Sequence, residues 1–554
     1  MLHLLRFLIF LITVLPLSAW AAEPRLAAAG IASAHPLATQ AGHEILAHGG
    51  NAFDAAVAVA ATLAVVEPYN SGLGGGGFFL LHRARDGFEI MIDARERAPL
   101  AATRDMYLDR DGRSVPGRSI DGVLAAGIPG TPAGLVHLAE KYGRLPLKQS
   151  LAPAIRLARD GFPVTAQYGK MCLRQHDRLE NFPETARVFF HDGFIYGAGE
   201  KLRQPELART LERLAAAGRE GFYDGDVAKR LVDGVRVAGG LWSLKDLTDY
   251  RVIEREPVRG VYRNVRVTSA ALPSSGGVVL VQILNLLQGL DLDSMDKPRR
   301  DQTVIEAMRL AYRDRARYLG DPDFVNVDVA RLIDPAYAAK LREEMPALKP
   351  ASAAPAKTGE GGNTTHLSVI DRDGNRVAVT LSLNTPFGSG FMPPGTGVVL
   401  NNEMDDFAVK PDAPNNYGLT GSNANAIAPG KRPLSSMTPT FLENDDTVVV
   451  LGTPGGSRII SMVLLATLEF AHGRGGPKDW ASLPRFHHQY SPDVVEYEPP
   501  AFDDAEKRAL QQRGYRLEAV RGGYGNMQAV VWNKKTGGVE ATSDPRGEGF
   551  AQVK

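Results

Sequence analysis

Thr364 and Thr365 stand where a run of small, turn-forming residues gives way to an alternating apolar pattern, in GGNTTHLSVIDRDGNRVAVTLSLNT beginning at Gly361. A hydroxyl at such a junction can satisfy backbone groups at the head of a strand, or it can be a nucleophile. A nucleophilic threonine needs a base. Cleavage between Asn363 and Thr364 would supply one, because a free α-amino group has a pKa of roughly 8, against about 10.4 for lysine. Part of that amine is unprotonated near neutral pH, so the residue could accept its own hydroxyl proton. His366 shares the polar parity of Thr364. Two residues along a strand is far for direct proton transfer, so His366 reads as structural.

The element that must position Thr364 is a hairpin. Thr365, Leu367 and Val369 on one strand, and Val377, Val379, Leu381 and Leu383 on the next, mark one apolar face. Facing residues must then share parity, since a slip of one residue would set a polar face against an apolar one. A loop of Arg372-Asp373-Gly374, with Gly374 at positive φ, meets this condition; a two-residue Asp-Gly turn does not. The resulting register places Thr364 opposite Ser382 and projects Asn384 from the same face.

Around this hairpin the chain has ordinary globular composition. Of 554 residues, 44% are apolar and 23% charged, and Lys plus Arg equals Asp plus Glu at 63 each. No global field recruits nucleic acid or an anionic membrane, so a small ligand is expected. Residues 1–21, MLHLLRFLIFLITVLPLSAWA, read as a secretory signal peptide, which predicts an exported protein, periplasmic or secreted, with no membrane anchor after its removal. Cys172 is the only cysteine, which excludes an intramolecular disulfide. Neither His487-His488 nor the Asp371–Asn375 loop has metal-site spacing, so no metal and no cofactor are expected.

Strand patterns near FEIMIDARER, VRVTSAAL, HLSVIDRD, RVAVTLSL, TVVVLGTP and QAVVWNKK interleave with long helical ones such as QTVIEAMRLAYRDRARYLGD. This predicts a layered α/β or α+β architecture. Gly72 to Gly77 satisfies a dinucleotide-type spacing, but it follows a helix and opens a strand, so close backbone approach is the better explanation. The stretch from Leu348 to Asn363, rich in Pro, Ala and Gly, reads as a mobile surface segment leading into Thr364.

NTTHLSVID taken with NNEMDDF, KRPLSSMTPTF and GTPGGSRII resembles the γ-glutamyltranspeptidase (glutathione hydrolase) family of N-terminal nucleophile hydrolases. Further matching strings run in order from ASAHPLAT at Ala32 through GGNAFDAAVA, SGLGGGGFF, DARERAP, GIPGTPAG and PSSGGVV to LPRFHHQ and SDPRGEG. The resemblance implies an α+β fold, a four-layer αββα sandwich. It also implies self-cleavage into a large chain, 22–363, and a small chain, 364–554, that remain together as a heterodimer.

The resemblance implies roles for individual residues as well. Thr364 is the nucleophile, Ser382 orients it, and the Gly455 and Gly456 N–H groups form an oxyanion hole. Arg95, Ser435 and Ser436 hold the substrate α-carboxylate, while Asn384, Glu403 and Asp406 accept from its ammonium group. Tyr417 resembles an aromatic on a lid loop. Ser382 stands where many relatives have threonine, and Glu403 where some have glutamine. The implied activity is transfer of a γ-glutamyl group from glutathione to water or to amino acid and dipeptide acceptors. The alternatives are a cephalosporin (glutaryl) acylase with the same nucleophile and an uncut protein that binds glutathione without turnover.

Overall fold

The computed structural model describes residues 26–345 and 363–554. The signal-peptide expectation for residues 1–21, and all but the last residue of the segment expected to be mobile, lie outside the described residues.

Two antiparallel sheets form the centre. One has seven strands in the order Phe550–Val553, Gly30–Ser33, Thr365–Ile370, Arg376–Ser382, Gly76–Arg83, Phe88–Ala94 and Ile253–Arg255. The other has six, in the order Val539–Ser543, Gln528–Asn533, Thr447–Gly452, Thr440–Glu443, Val265–Ser269 and Val258–Tyr262. The hairpin sits in the middle of the larger sheet. Its register pairs Thr365 with Leu381 and Ile370 with Arg376, the predicted parity, and Gly374 closes the loop at φ 86°.

Alternation then sorts the hairpin's side chains onto two different cores. Leu367, Val369, Val377, Val379 and Leu381 pack with the helix Ala52–Val66, in which every residue is buried. That helix starts cleanly because Asn51 caps the Asp54 N–H while the Asp54 side chain returns a bond to the Asn51 N–H. Asp371, at the hairpin turn, accepts from the Ala52 N–H at 2.8 Å and fixes helix and hairpin to each other.

Ile370 and Ala378 point the other way, into the core between the sheets with Phe441, Val448, Val450 and Val530. Helices Gly276–Leu287, Lys297–Tyr318 and Ile459–Ala471 cover the outer face of the six-stranded sheet. Helix, sheet, sheet, helix is the expected four-layer sandwich.

The glycine run after the first buried helix serves close packing. A Cβ on Gly74 would lie 1.9 Å from the Val399 carbonyl oxygen, and one on Gly75 would lie 2.0 Å from that of Ser382. A side chain on Gly75 would push away the end of the strand that carries Ser382. Among the described residues, no helix is long and apolar enough to cross a membrane.

Candidate active site

Thr364 precedes the Thr365–Ile370 strand and has even parity, so its side chain enters the mouth between the sheets while Thr365 faces the helix layer. Its Oγ donates to the Asn363 carbonyl oxygen at 2.8 Å and lies 3.1 Å from the Ser382 Oγ. Ser382 also donates to that carbonyl at 2.9 Å and accepts from the Asn384 N–H at 2.8 Å. Two hydroxyls therefore converge on the carbonyl that precedes the threonine. Asn363 is buried, so the end of the segment read as mobile surface is fixed by these bonds.

Asn384 reaches the site by a different route from the one expected. The strand ends at Ser382, and Asn384 takes a left-handed backbone conformation at φ 80°, so a turn rather than strand alternation brings it to the cavity. Its side chain donates to the Asn402 carbonyl at 2.9 Å.

Gly455 and Gly456 adopt φ of 147° and 59° immediately before the turn that opens the helix Ile459–Ala471. Gly456 lines the cavity with Thr364, and Gly455 lies one residue behind it. Among the described residues neither N–H has a protein acceptor, which leaves two donors at a helix entrance where negative charge is favoured.

The charged groups expected to hold a substrate are together and buried. Arg95 Nη1 lies 2.9 Å from Glu403 Oε2, Arg95 Nη2 bonds Asp406 Oδ2, and Glu96 is 3.7 Å away. The Glu403 contact lacks hydrogen-bond geometry and is ionic in character. Burial disfavours the Arg95 charge, but Glu403, Asp406 and Glu96 outweigh it and raise the pKa. Burial also pushes the Glu96 carboxyl up to about 8 and raises that of Glu403, with Arg95 opposing both shifts.

Ser435 and Ser436 line the same cavity. Ser435 Oγ accepts from the Met437 N–H at 3.1 Å, and Ser436 Oγ accepts from Arg315 Nη2 at 3.1 Å. Tyr417 closes the cavity: it is buried, its hydroxyl donates to the Asn384 carbonyl at 2.5 Å, and its ring abuts Gly456. Behind it the free space is about 20 Å³, room for about one water. A much larger cavity, about 1450 Å³, lies at the turn end of the hairpin and contains none of these groups. Chemistry, not size, locates the site.

His366 is structural, as expected. Thr380 and Ser368 bond its two ring nitrogens at 2.9 and 3.1 Å, and burial depresses its pKa to about 3. The sequence reasoning missed Arg315, which lines the cavity from the helix Lys297–Tyr318. A signal was present: Arg315 falls at helical spacing from Met308, Tyr312 and Leu319 and so interrupts an otherwise apolar stripe.

A buried hydroxyl heading a central strand, between two antiparallel sheets flanked by helices, defines an N-terminal nucleophile hydrolase. The structure is similar to that of cephalosporin acylase from Bacillus halodurans, with a TM-score of 0.85 at 29% identity over 98% of this chain and 99% of the other. Residues 38–553 match the family model for γ-glutamyltranspeptidase. The glutathione hydrolase proenzyme of Pseudomonas sp. (strain A14) is 44% identical over 88% of this chain and 86% of the relative. That of Escherichia coli (strain K12) is 41% identical over 93% and 90%. The chain belongs to the γ-glutamyltranspeptidase family.

Proposed function

We propose that the chain is a self-processing enzyme that removes the γ-glutamyl group from glutathione and related amides and passes it to water or to amino acid and dipeptide acceptors. The observation that carries this is the pair of hydroxyls, Thr364 and Ser382, on the Asn363 carbonyl. In maturation the Thr364 Oγ attacks that carbonyl carbon through a five-membered ring. The C–N bond breaks as the proton passes to nitrogen, and water then hydrolyses the ester to release a small chain beginning at Thr364. The large chain ends at Asn363, and residues 1–21 would direct export and be removed in its course.

The new α-amine then serves as base. Its pKa of roughly 8 falls further where burial disfavours the ammonium form. The Thr364 Oγ attacks the donor's γ-carbonyl, the Gly455 and Gly456 N–H groups stabilise the oxyanion, and Ser382 holds the nucleophile. Thiol-bearing dipeptide leaves with the proton that the amine accepted. The acyl-enzyme then yields to water or to an acceptor amine.

Donor selection follows from charge. Arg95 in the uncut chain is already engaged by Glu403 and Asp406. A zwitterionic α-amino acid end inserts its carboxylate toward Arg95, Ser435 and Ser436 and its ammonium toward Asp406, Glu403 and Asn384, exchanging ion pairs within the protein for ion pairs to the ligand. A donor with only one of these groups leaves a buried charge unpaired, at a cost of several kcal/mol.

The test is a denaturing gel of wild type beside Thr364→Ala. Two chains are expected from wild type, the smaller with the N-terminal sequence TTHLSV, and one inactive full-length chain from the variant. An active, uncut wild type, or an active Thr364→Ala, would overturn the scheme.

A further inference from the structure

Arg95 is ringed by three carboxylates, whereas the second arginine of the cavity has none. Arg315 is buried, and among the described residues no carboxylate oxygen lies within ion-pairing distance of it. A buried cation without a counter-ion is expensive to keep unless something anionic visits the site. Arg315 instead spends its donors on hydroxyls. Nη2 bonds Ser436 Oγ at 3.1 Å, and Nε bonds Ser275 Oγ at 2.9 Å. Ser275 in turn donates twice to the Ser435 carbonyl oxygen, from its hydroxyl at 2.7 Å and from its backbone N–H at 2.8 Å. One guanidinium thus orders both members of the serine pair, Ser436 directly and Ser435 through Ser275.

A serine hydroxyl has one proton to give and two lone pairs to fill. Ser436 Oγ has a lone pair filled by Arg315, and Ser435 Oγ has one filled by the Met437 N–H. Among the described residues neither hydroxyl donates to a protein acceptor, so both protons are free for a ligand. A cationic donor behind Ser436 also polarises its O–H toward an anion in front of it.

We propose that Arg315 is a positioning residue for the donor's α-carboxylate: it acts through Ser436 and Ser275 to aim the serine pair, and it supplies the counter-charge that the encumbered Arg95 cannot supply alone. The proposal rests on the assignment of Ser435, Ser436 and Arg95 to the donor carboxylate. Burial lowers the Arg315 pKa, Tyr312 and Asp406 oppose the shift, and the nearby Arg95 charge adds a smaller lowering. An incoming carboxylate relieves both arginines at once.

The experiment compares a γ-glutamyl anilide with its α-carboxamide analogue, using protein that has matured into two chains. Loss of one charge-assisted contact predicts that Arg315→Gln lowers kcat/KM for the carboxylate donor about 10- to 100-fold, chiefly through KM. The preference for carboxylate over carboxamide should fall by a similar factor, which a merely structural role would not produce. Arg315→Lys keeps the charge but cannot span both serines, so it should recover part of the preference. Should Arg315→Gln fail to mature, Ser275→Ala cuts the relay on its own and should lower the preference several-fold. An unchanged preference in whichever of the two matures overturns the proposal. Ser436→Ala separates the failures: if it too leaves the preference intact, the donor-carboxylate assignment itself is wrong, and if it alone lowers the preference, only the role of Arg315 is wrong.

Discussion

Glu67 closes the C-terminal end of the buried helix Ala52–Val66 and receives the Thr365 hydroxyl at 2.9 Å and the Asn70 side-chain amide at 3.1 Å. Burial pushes its carboxyl from 4.5 up to about 7; the two hydrogen bonds oppose the shift and Glu548 adds to it. The folded protein therefore holds this proton more tightly than the unfolded chain does. Its contribution to stability is whole below pH 4.5 and is lost as pH rises through 7. Roughly 2.5 pKa units at about 1.4 kcal/mol each make that loss ~3 kcal/mol. Glu67→Gln stays neutral and escapes it, while giving up part of the hydrogen bonding, about 1 kcal/mol. The assay is urea unfolding of both forms on the uncut Thr364→Ala background, across a pH series from about 4 to about 8. The other buried acids titrate in both forms and cancel in the difference. The variant should be slightly less stable than its parent at the acid end and more stable at the alkaline end, with the difference moving by ~3 kcal/mol. Parallel curves would refute the claim that a proton is stored beside the nucleophile strand.

Two further outcomes follow from the site. Gly456→Ala places a Cβ 2.6 Å from the Tyr417 ring at a φ of 59°, so it should mis-aim an oxyanion donor and lower kcat about 100-fold; adding Tyr417→Ala should recover part of that loss in steady-state assays. Asp406→Asn should lower kcat/KM for a γ-glutamyl anilide about 10- to 100-fold and change a glutaryl anilide, which has no ammonium, by no more than a few-fold. Equal losses on both donors would remove Asp406 from ammonium recognition.

The hairpin was legible from sequence because its register is over-determined: parity admits one pairing, and Gly374 is placed where a three-residue loop needs positive φ. The glycine run was legible from its order, helix before and strand after. The donor pocket was not, since Arg95, Glu403 and Asp406 meet across some three hundred residues and only family likeness joined them. Even then, likeness described ligands for a substrate and not the ion pairs that these residues make with one another in the uncut chain. Asn384 eluded strand alternation because the strand stops two residues before it. Arg315 was overlooked because its helix carries six arginines, only two of them buried, and a place on the apolar stripe did not by itself mark this one as a cavity residue.

The order of strands in the larger sheet carries one more implication. The hairpin of the proposed small chain lies between Gly30–Ser33 and Gly76–Arg83 of the proposed large chain, and Phe550–Val553 borders the first of these from outside. Partners braided this way cannot be pulled apart without dismantling the sheet. Before the cut, a denatured molecule regains its form alone; afterwards two strangers must find each other in solution, and dilution works against them. The proposed cut would therefore act as a ratchet, and the longevity of the two-chain form would be governed by how slowly it first comes undone.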